Sequence, residues 1–172
     1  MNSPIYTLIS RTFKCMYMLR HSLACIGLKC AGGRVQRVFF IRGRDVGVNV
    51  SPTDSGCESI SGVLDSLNRF LDGEDVPFDP AVLDFRVCTG YQRGVLRVVM
   101  GIPRGSTMTY AEVAGAAGGG PRSVAGALAR NPFPLIIPCH RVIRSDGKPG
   151  GYQGGVDLKV RLLEMEGAHF KI

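Results

Sequence analysis

The chain begins with short apolar segments broken by polar residues, then changes near its middle to longer runs with helical spacing. Residues 5–9, 15–19, 25–28 and 35–41 read as strands, with Gly32-Gly33 as a turn and Arg42-Gly43-Arg44 closing the run. Residues 51–58 read as loop. Ile60, Val63, Leu64, Leu67, Phe70 and Leu71 then recur at helical spacing, with Gly73 at the C-terminal stop. This is a small sheet with one packing helix, and nothing in it suggests chemistry. The stretch from 72 to 80, with Pro77 and Pro80, reads as a linker, so residues 1–80 form one domain and 81–172 a second.

In the second half, Tyr91, Val95, Val98, Val99 and Ile102 predict an amphipathic helix that stops before Pro103-Arg104-Gly105. Thr109 and Glu112 have the spacing of a capping box, and the helix they open ends within the glycines of 115–120. Pro121 suits the first position of a further helix, which Asn131-Pro132 ends. Two short helices joined through glycine make a helix-turn-helix candidate. Ser123, Ala125, Gly126, Ala127 and Ala129 leave one face of the second helix almost bare, with Arg122 at its start. A helix reading major-groove base edges would carry Asn, Gln, Arg or Lys there. A bare face fits either a minor groove only ~6 Å wide or close packing against another helix, and the pattern does not choose between them.

Composition adds direction. The 172 residues are 45% hydrophobic and 20% charged, ordinary for a globular protein. The net charge of +7 is unevenly placed: residues 83–172 hold twelve Lys/Arg against six Asp/Glu, whereas residues 1–82 hold nine against eight. That excess suits a polyanion-binding surface in the second half, and on charge alone scattered solvated arginines fit it equally well. Arg11, Lys14 and Arg20 interrupt the first apolar runs, so neither a signal sequence nor a membrane partner is expected, and the expected location is cytoplasmic. Six cysteines show no Cys-x-x-Cys pair and read as reduced thiols. Cys15, His21, Cys25 and Cys30 match no structural zinc spacing, so no metal is expected.

The candidate chemistry lies at Pro138-Cys139-His140-Arg141-Val142-Ile143. A thiol set just after the apolar run Leu135-Ile136-Ile137, clamped by proline and followed by histidine, reads as a held nucleophile. A free thiol is only about 3% thiolate at pH 7, and a deep pKa depression costs nucleophilicity. The useful arrangement is a thiol kept near ambient pH beside a base.

Pro-Cys-His-Arg-Val resembles the active-site signature of the O6-alkylguanine-DNA alkyltransferases, the methylated-DNA–protein-cysteine methyltransferases. The likeness runs through roughly residues 83–167. It takes in Ile102-Pro103-x-Gly105, Thr109-Tyr110 with Ala114, Pro121-Arg122-x-Val124, Asn131-Pro132, Gly151-Tyr152 and Glu166-Gly167. The resemblance implies a ribonuclease-H-like α/β first domain and a mainly α second domain with a winged-helix-like helix-turn-helix. The implied reaction is irreversible transfer of an alkyl group from O6 of guanine, and O4 of thymine, in double-stranded DNA to Cys139, without a cofactor. It further implies a monomer whose neighbours could bind DNA cooperatively.

In the roles this implies, His140 is a base acting through water and Glu166 orients it. Tyr110 presses on a flipped nucleotide and hydrogen-bonds the guanine, and Arg122 fills the place the base vacates. Ser123, Ala125, Gly126 and Ala129 face the minor groove. Asn131 ties the turn behind the recognition helix, while the carbonyls of Cys139 and Val142 accept the exocyclic amine. Tyr152, Gln153 and Gly154 form the pocket wall, and Arg141 serves structure. Three departures from the family pattern stand out: Gln153, the Cys88-Thr89-Gly90-Tyr91-Gln92 stretch, and a glycine run at 118–120 that is expected to loosen the turn. Rival readings are a lesion binder without transfer, a sequence-selective DNA-binding regulator and a cysteine hydrolase.

Overall fold

The computed structural model describes residues 6–8, 16–41 and 58–172. The expected closing turn at 42–44 and most of the loop at 51–58 lie outside the described residues, as do the flanks of the first two expected strands. The chain divides into two compact units, Met1–Phe85 and Arg86–Ile172.

In the first unit β1 (Tyr6–Leu8), β2 (Met16–Arg20), β3 (Cys25–Ala31) and β4 (Arg34–Phe40) form an antiparallel meander in sequence order. Gly32 and Gly33 join the last two strands with φ of 57° and 71°, the left-handed pair that a two-residue hairpin matching the strand twist requires. Met18, Ile26, Leu28, Val35 and Val38 are buried, and so are Ile60, Val63, Leu64, Leu67, Phe70 and Leu71 on α1 (Glu58–Leu71). The helical spacing read from the sequence therefore marks the buried face. α1 ends with Glu74 N–H donating to Arg69 O and Gly73 N–H to Phe70 O, a Schellman closure.

The stretch after α1 is more than a tether. Val76 is buried, the Phe70 and Phe78 rings are 6.0 Å apart, and Leu83 bridges Val35 at the edge of β4. That bridge keeps residues 81–85 with the first unit, beyond the boundary at 80 that composition suggests. His21, one of the metal candidates considered above, is hydrogen-bonded to Asp72 at 3.1 Å and accepts from Leu23 N–H.

The second unit opens with α2 (Gly90–Met100), capped by the Thr89 hydroxyl. Its buried stripe is Gln92, Val95, Leu96 and Val99, whereas Tyr91 is exposed and Val98 half-buried. The expected stripe through Tyr91 and Val98 is thus rotated. The reason is Gln92, whose amide donates to the carbonyls of Ala127 (3.1 Å) and Arg130 (2.9 Å), so a polar residue takes an inward place. β5 (Met108–Thr109) pairs in parallel with β6 (Val142–Ile143). It leads straight into α3 (Tyr110–Ala117), where both hydrogen bonds of the Thr109–Glu112 capping box form. α4 (Pro121–Ala129) follows with Pro121 in its first turn, and α5 (Val156–Met165) closes the unit. None of the five α-helices among the described residues is long and apolar enough to cross a membrane.

The α3–α4 turn is pinned, contrary to the looseness its glycines suggest. The Tyr91 hydroxyl donates to Gly118 O (3.2 Å) and lies 2.8 Å from the Ser123 hydroxyl, which accepts from Gly120 N–H. Gly119 sits at φ 83°, and a Cβ there would meet Tyr91 Oη at 2.7 Å and Ser123 Oγ at 2.8 Å. Gly120, at φ −128°, has open space around it. Gly119→Ala should therefore cost about 1–3 kcal/mol in urea unfolding, from left-handed strain and the lost hydroxyl contact. Gly120→Ala should be near neutral, and equal losses at both positions would contradict this account of the turn.

Candidate active site

The segment between α4 and β6 is shaped by one asparagine and one proline. Asn131, 2% exposed, accepts from Phe133 N–H (2.9 Å) and donates to Ile137 O (3.3 Å), bracketing a loop in which Leu135 takes a φ of 72°. A leucine in the left-handed region is strained, and the surrounding bonds must hold it there. Pro138, at φ −77° and ψ 59°, centres an inverse γ-turn closed by Cys139 N–H to Ile137 O at 2.7 Å. A 3₁₀ turn, Cys139–Arg141, follows and runs into β6. The sulfur is thereby fixed between an asparagine knot and a strand.

Cys139 is 5% exposed and lies in the wall of a cavity of about 420 Å³, within the range of small-molecule sites. The cavity is lined by Tyr110 from α3; by Ala125, Leu128 and Ala129 from α4; and by Gly151, Tyr152 and Gln153 from the loop before α5. His140 and Glu166 stand behind it with fully buried side chains, Nε2 to Oε1 at 3.0 Å. Arg141 grips the same carboxylate through Nε (2.7 Å) and Nη2 (2.8 Å), and its Nη1 donates to Ile102 O at 2.6 Å.

The structure thus gathers Tyr110, Ala125, Ala129, Cys139, Tyr152 and Gln153 around one cavity, with Asn131, His140, Val142 and Glu166 buried in its support. Arg122, Ser123 and Gly126 lie along α4 outside the lining, and Gly154 sits in the loop beyond Gln153. Arg122 is exposed, while the Ser123 hydroxyl is committed to the α3–α4 turn. Gln153 is itself tethered, its amide donating to Leu128 O (3.3 Å) and Asn131 O (2.9 Å).

Sequence reasoning missed two contributors. Leu128 supplies an apolar wall. Lys159 is fully buried, its ammonium donating to Val142 O at 2.6 Å and standing 6.0 Å from the centre of the Tyr110 ring. The signal was present: Lys159 precedes Leu162 and Leu163 by three and four residues, on the inward stripe of α5, where a lysine is out of place.

Electrostatics set the resting state. Burial pushes the Cys139 thiol up, outweighing the opposing hydrogen bond to Asn131 and the charge of Lys159. The thiol therefore rests protonated, higher than the near-ambient value the sequence reading favoured. Burial also pushes the His140 imidazole down against the pull of Glu166, so it rests neutral. Burial raises Tyr110 and, further, Tyr152, so both phenols keep their protons. Burial alone would raise Glu166; the hydrogen bonds and charges of His140 and Arg141 win, and hold it down to about 2.

Residues 90–168 match the family model described as 6-O-methylguanine DNA methyltransferase, DNA binding domain. The methylated-DNA–protein-cysteine methyltransferase of Methanothermobacter thermautotrophicus is 59% identical over 167 residues, covering 95% of this chain and 93% of the relative. The chain belongs to the methylated-DNA–protein-cysteine methyltransferase family. Solved methyltransferases of the family share its mixed α/β, two-unit fold. The Mycobacterium tuberculosis protein, whose crystal structure is in complex with DNA, superposes with a TM-score of 0.73 at 32% identity, over 87% of this chain and 91% of that one. The O6-methylguanine-DNA methyltransferase of Pyrococcus kodakaraensis gives 0.63 at 28% identity, over 95% and 98%.

The charge cluster has a testable pH signature. A depressed carboxyl contributes stability that is present above its unfolded pKa of about 4.3 and lost as pH falls towards about 2. A depressed imidazole acts in the same direction, because the unfolded chain binds its proton first as pH drops through about 6.5. Glu166→Gln should cost about 3–5 kcal/mol at neutral pH, since it leaves Arg141 without its carboxylate. In urea titrations the gap between variant and wild type should close between about pH 4 and about pH 2. A gap that stays constant over that range would remove Glu166 as its source.

Proposed function

We propose that this protein reverses O6-alkylguanine damage by moving the alkyl group to Cys139, once per molecule. The observation that carries the reading is the sulfur in the wall of a cavity roomy enough for a purine base beside α4, backed by a buried Glu166–His140 pair. The names of its relatives, and the DNA in the mycobacterial complex, support the same substrate.

In this reading the neutral His140 takes the thiol proton through a water as substrate arrives. Its Nε2 is engaged by Glu166, which leaves Nδ1 for the proton and stabilises the imidazolium. The sulfur attacks the alkyl carbon, the S–C bond forms, the C–O6 bond breaks and its electron pair passes into the guanine ring. Tyr110, whose phenol keeps its proton at rest, gives it to the purine edge so that guanine leaves neutral, and the proton held by His140 returns through solvent to the phenolate. The product thioether is stable, so the protein is spent.

Guanine in a duplex cannot reach such a wall without leaving the stack, at a cost of a few kcal/mol. In this reading the small residues Ala125, Gly126 and Ala129 let α4 approach a minor-groove floor, and Arg122, exposed at the start of α4, fills the gap. O4-alkylthymine is a second substrate in this proposal. The protein acts as a cytoplasmic monomer, with a ribonuclease-H-like first unit and a winged-helix-like second, and cooperative binding of neighbours on DNA is read by titrating protein on long duplexes.

Incubation with duplex containing O6-methylguanine should add the mass of one methyl group to the peptide bearing Cys139, and none to Cys139→Ala. Tight binding with no mass change would instead identify a lesion binder. Arg122→Ala should slow repair of duplex far more than reaction with free O6-benzylguanine. Equal slowing on both substrates would take Arg122 out of base flipping.

A further inference from the structure

We propose that Lys159 is a positioning residue for alkyl transfer, its ammonium anchored on the Val142 carbonyl as the counter-charge to the Cys139 thiolate. This rests on the alkyl-transfer reading above.

Lys159 is the one buried lysine among the described residues, and that burial is costly for an ammonium without a partner of opposite charge. Its bond to Val142 O and its place near the Tyr110 ring satisfy some of its hydrogen-bonding and electrostatic demand, but neither supplies a full negative charge. No carboxylate forms an ion pair with it among the described residues. Glu166, the buried acid of this site, has both oxygens taken by His140 and Arg141. The titratable groups around the cavity wall and its support are Tyr110 from α3, Tyr152 from the loop before α5, and Cys139 and His140 from the 3₁₀ turn, and Lys159 acts electrostatically on the last two. At rest the two phenols hold their protons and His140 is neutral, so ahead of the transfer step Cys139 is the group that becomes an anion near the ammonium.

The ammonium therefore rests without a negative partner of its own, and gains one only while the thiol is ionised. Loss of the thiol proton to His140 creates the partner that Lys159 lacks. Formation of the S–C bond, with the C–O6 pair leaving into guanine, removes that partner again. Val142 O contributes geometry: the bond at 2.6 Å fixes a carbonyl at the end of the 3₁₀ turn that carries the sulfur. Burial lowers the lysine itself to about 8, so the charge is present at neutral pH and lost above that value.

The test uses single-turnover rates of the full chain with free O6-benzylguanine, followed from mildly acidic to alkaline pH, for wild type, Lys159→Met and Lys159→Arg. Wild type should show a rate that falls above about pH 8 as the ammonium is lost. Lys159→Met should lack that alkaline limb and react more slowly at neutral pH, about tenfold for each unit by which its thiol limb moves up. Lys159→Arg, whose guanidinium does not titrate in this range, should also lack the alkaline limb while keeping the thiol limb near the wild-type position. A Lys159→Met profile parallel to wild type but lower overall would overturn the proposal, leaving Lys159 as a prop for Val142. If Lys159→Met does not fold by its thermal transition, the arginine variant decides: an alkaline limb retained at the wild-type pH overturns the proposal. Failure of wild type to alkylate Cys139 at all would instead strike the reading under Proposed function.

Discussion

The Glu166 carboxylate is the constraint that everything in the second unit answers to. It has no water-facing side, yet it stays ionised because three donors from two neighbouring residues occupy its oxygens. Arg141 continues the chain of bonds to Ile102 O at the end of α2, and Arg104 donates to Met165 O just before the carboxylate. One acid at the end of α5 thus joins three segments distant in sequence and fixes the plane of the imidazole beside the sulfur. A buried anion so fully bonded is costly to disturb, and that is what makes it a reliable reference point.

A second device holds the bare helix in register with the sulfur. The carbonyls at the end of α4 lie past the regular helical ladder: Ala127 O and Leu128 O take the backbone N–H groups of Arg130 (3.3 Å) and Asn131 (3.0 Å), and a second donor is open to each. Two glutamines from opposite directions meet them. Gln92 on α2 serves Ala127 and Arg130, and Gln153 on the cavity wall serves Leu128 and Asn131. Because Asn131 also bonds Ile137 on the way to Cys139, the end of α4, the cavity wall and the Cys139 sulfur are tied by one set of hydrogen bonds. Gln153, which looked like an uncertain departure at the level of sequence, is in effect a tie-bar.

What periodicity and capping chemistry encode locally was legible in the sequence. The α1 stripe, the Gly32-Gly33 hairpin, the Thr109–Glu112 box, Pro121 at the start of α4 and the Cys-His pair all follow from residues a few positions apart. What escaped were side chains whose partners lie far along the chain. Gln92 turned α2 because its partners are 35 and 38 residues away. Tyr91 and Ser123 stiffen a glycine turn that composition alone reads as slack, and they meet across 32 residues. Lys159 could be noticed as a charge on an apolar stripe, but its partner is a backbone carbonyl, and no spacing rule reveals that. The thiol's state was misjudged for a related reason: the cost of desolvation depends on how deeply the cavity is walled, and a linear motif does not carry depth.

The depth of that sulfur has a further meaning. A group that can be used a single time is wasted by any collision with the wrong electrophile. Cys139, 5% exposed and held as the thiol by its surroundings, is a poor target for peroxide or for small soluble alkylating agents, which find thiolates at open surfaces first. Dormancy is therefore as much a property of this site as reactivity: the same burial that slows the sulfur in isolation preserves it unspent.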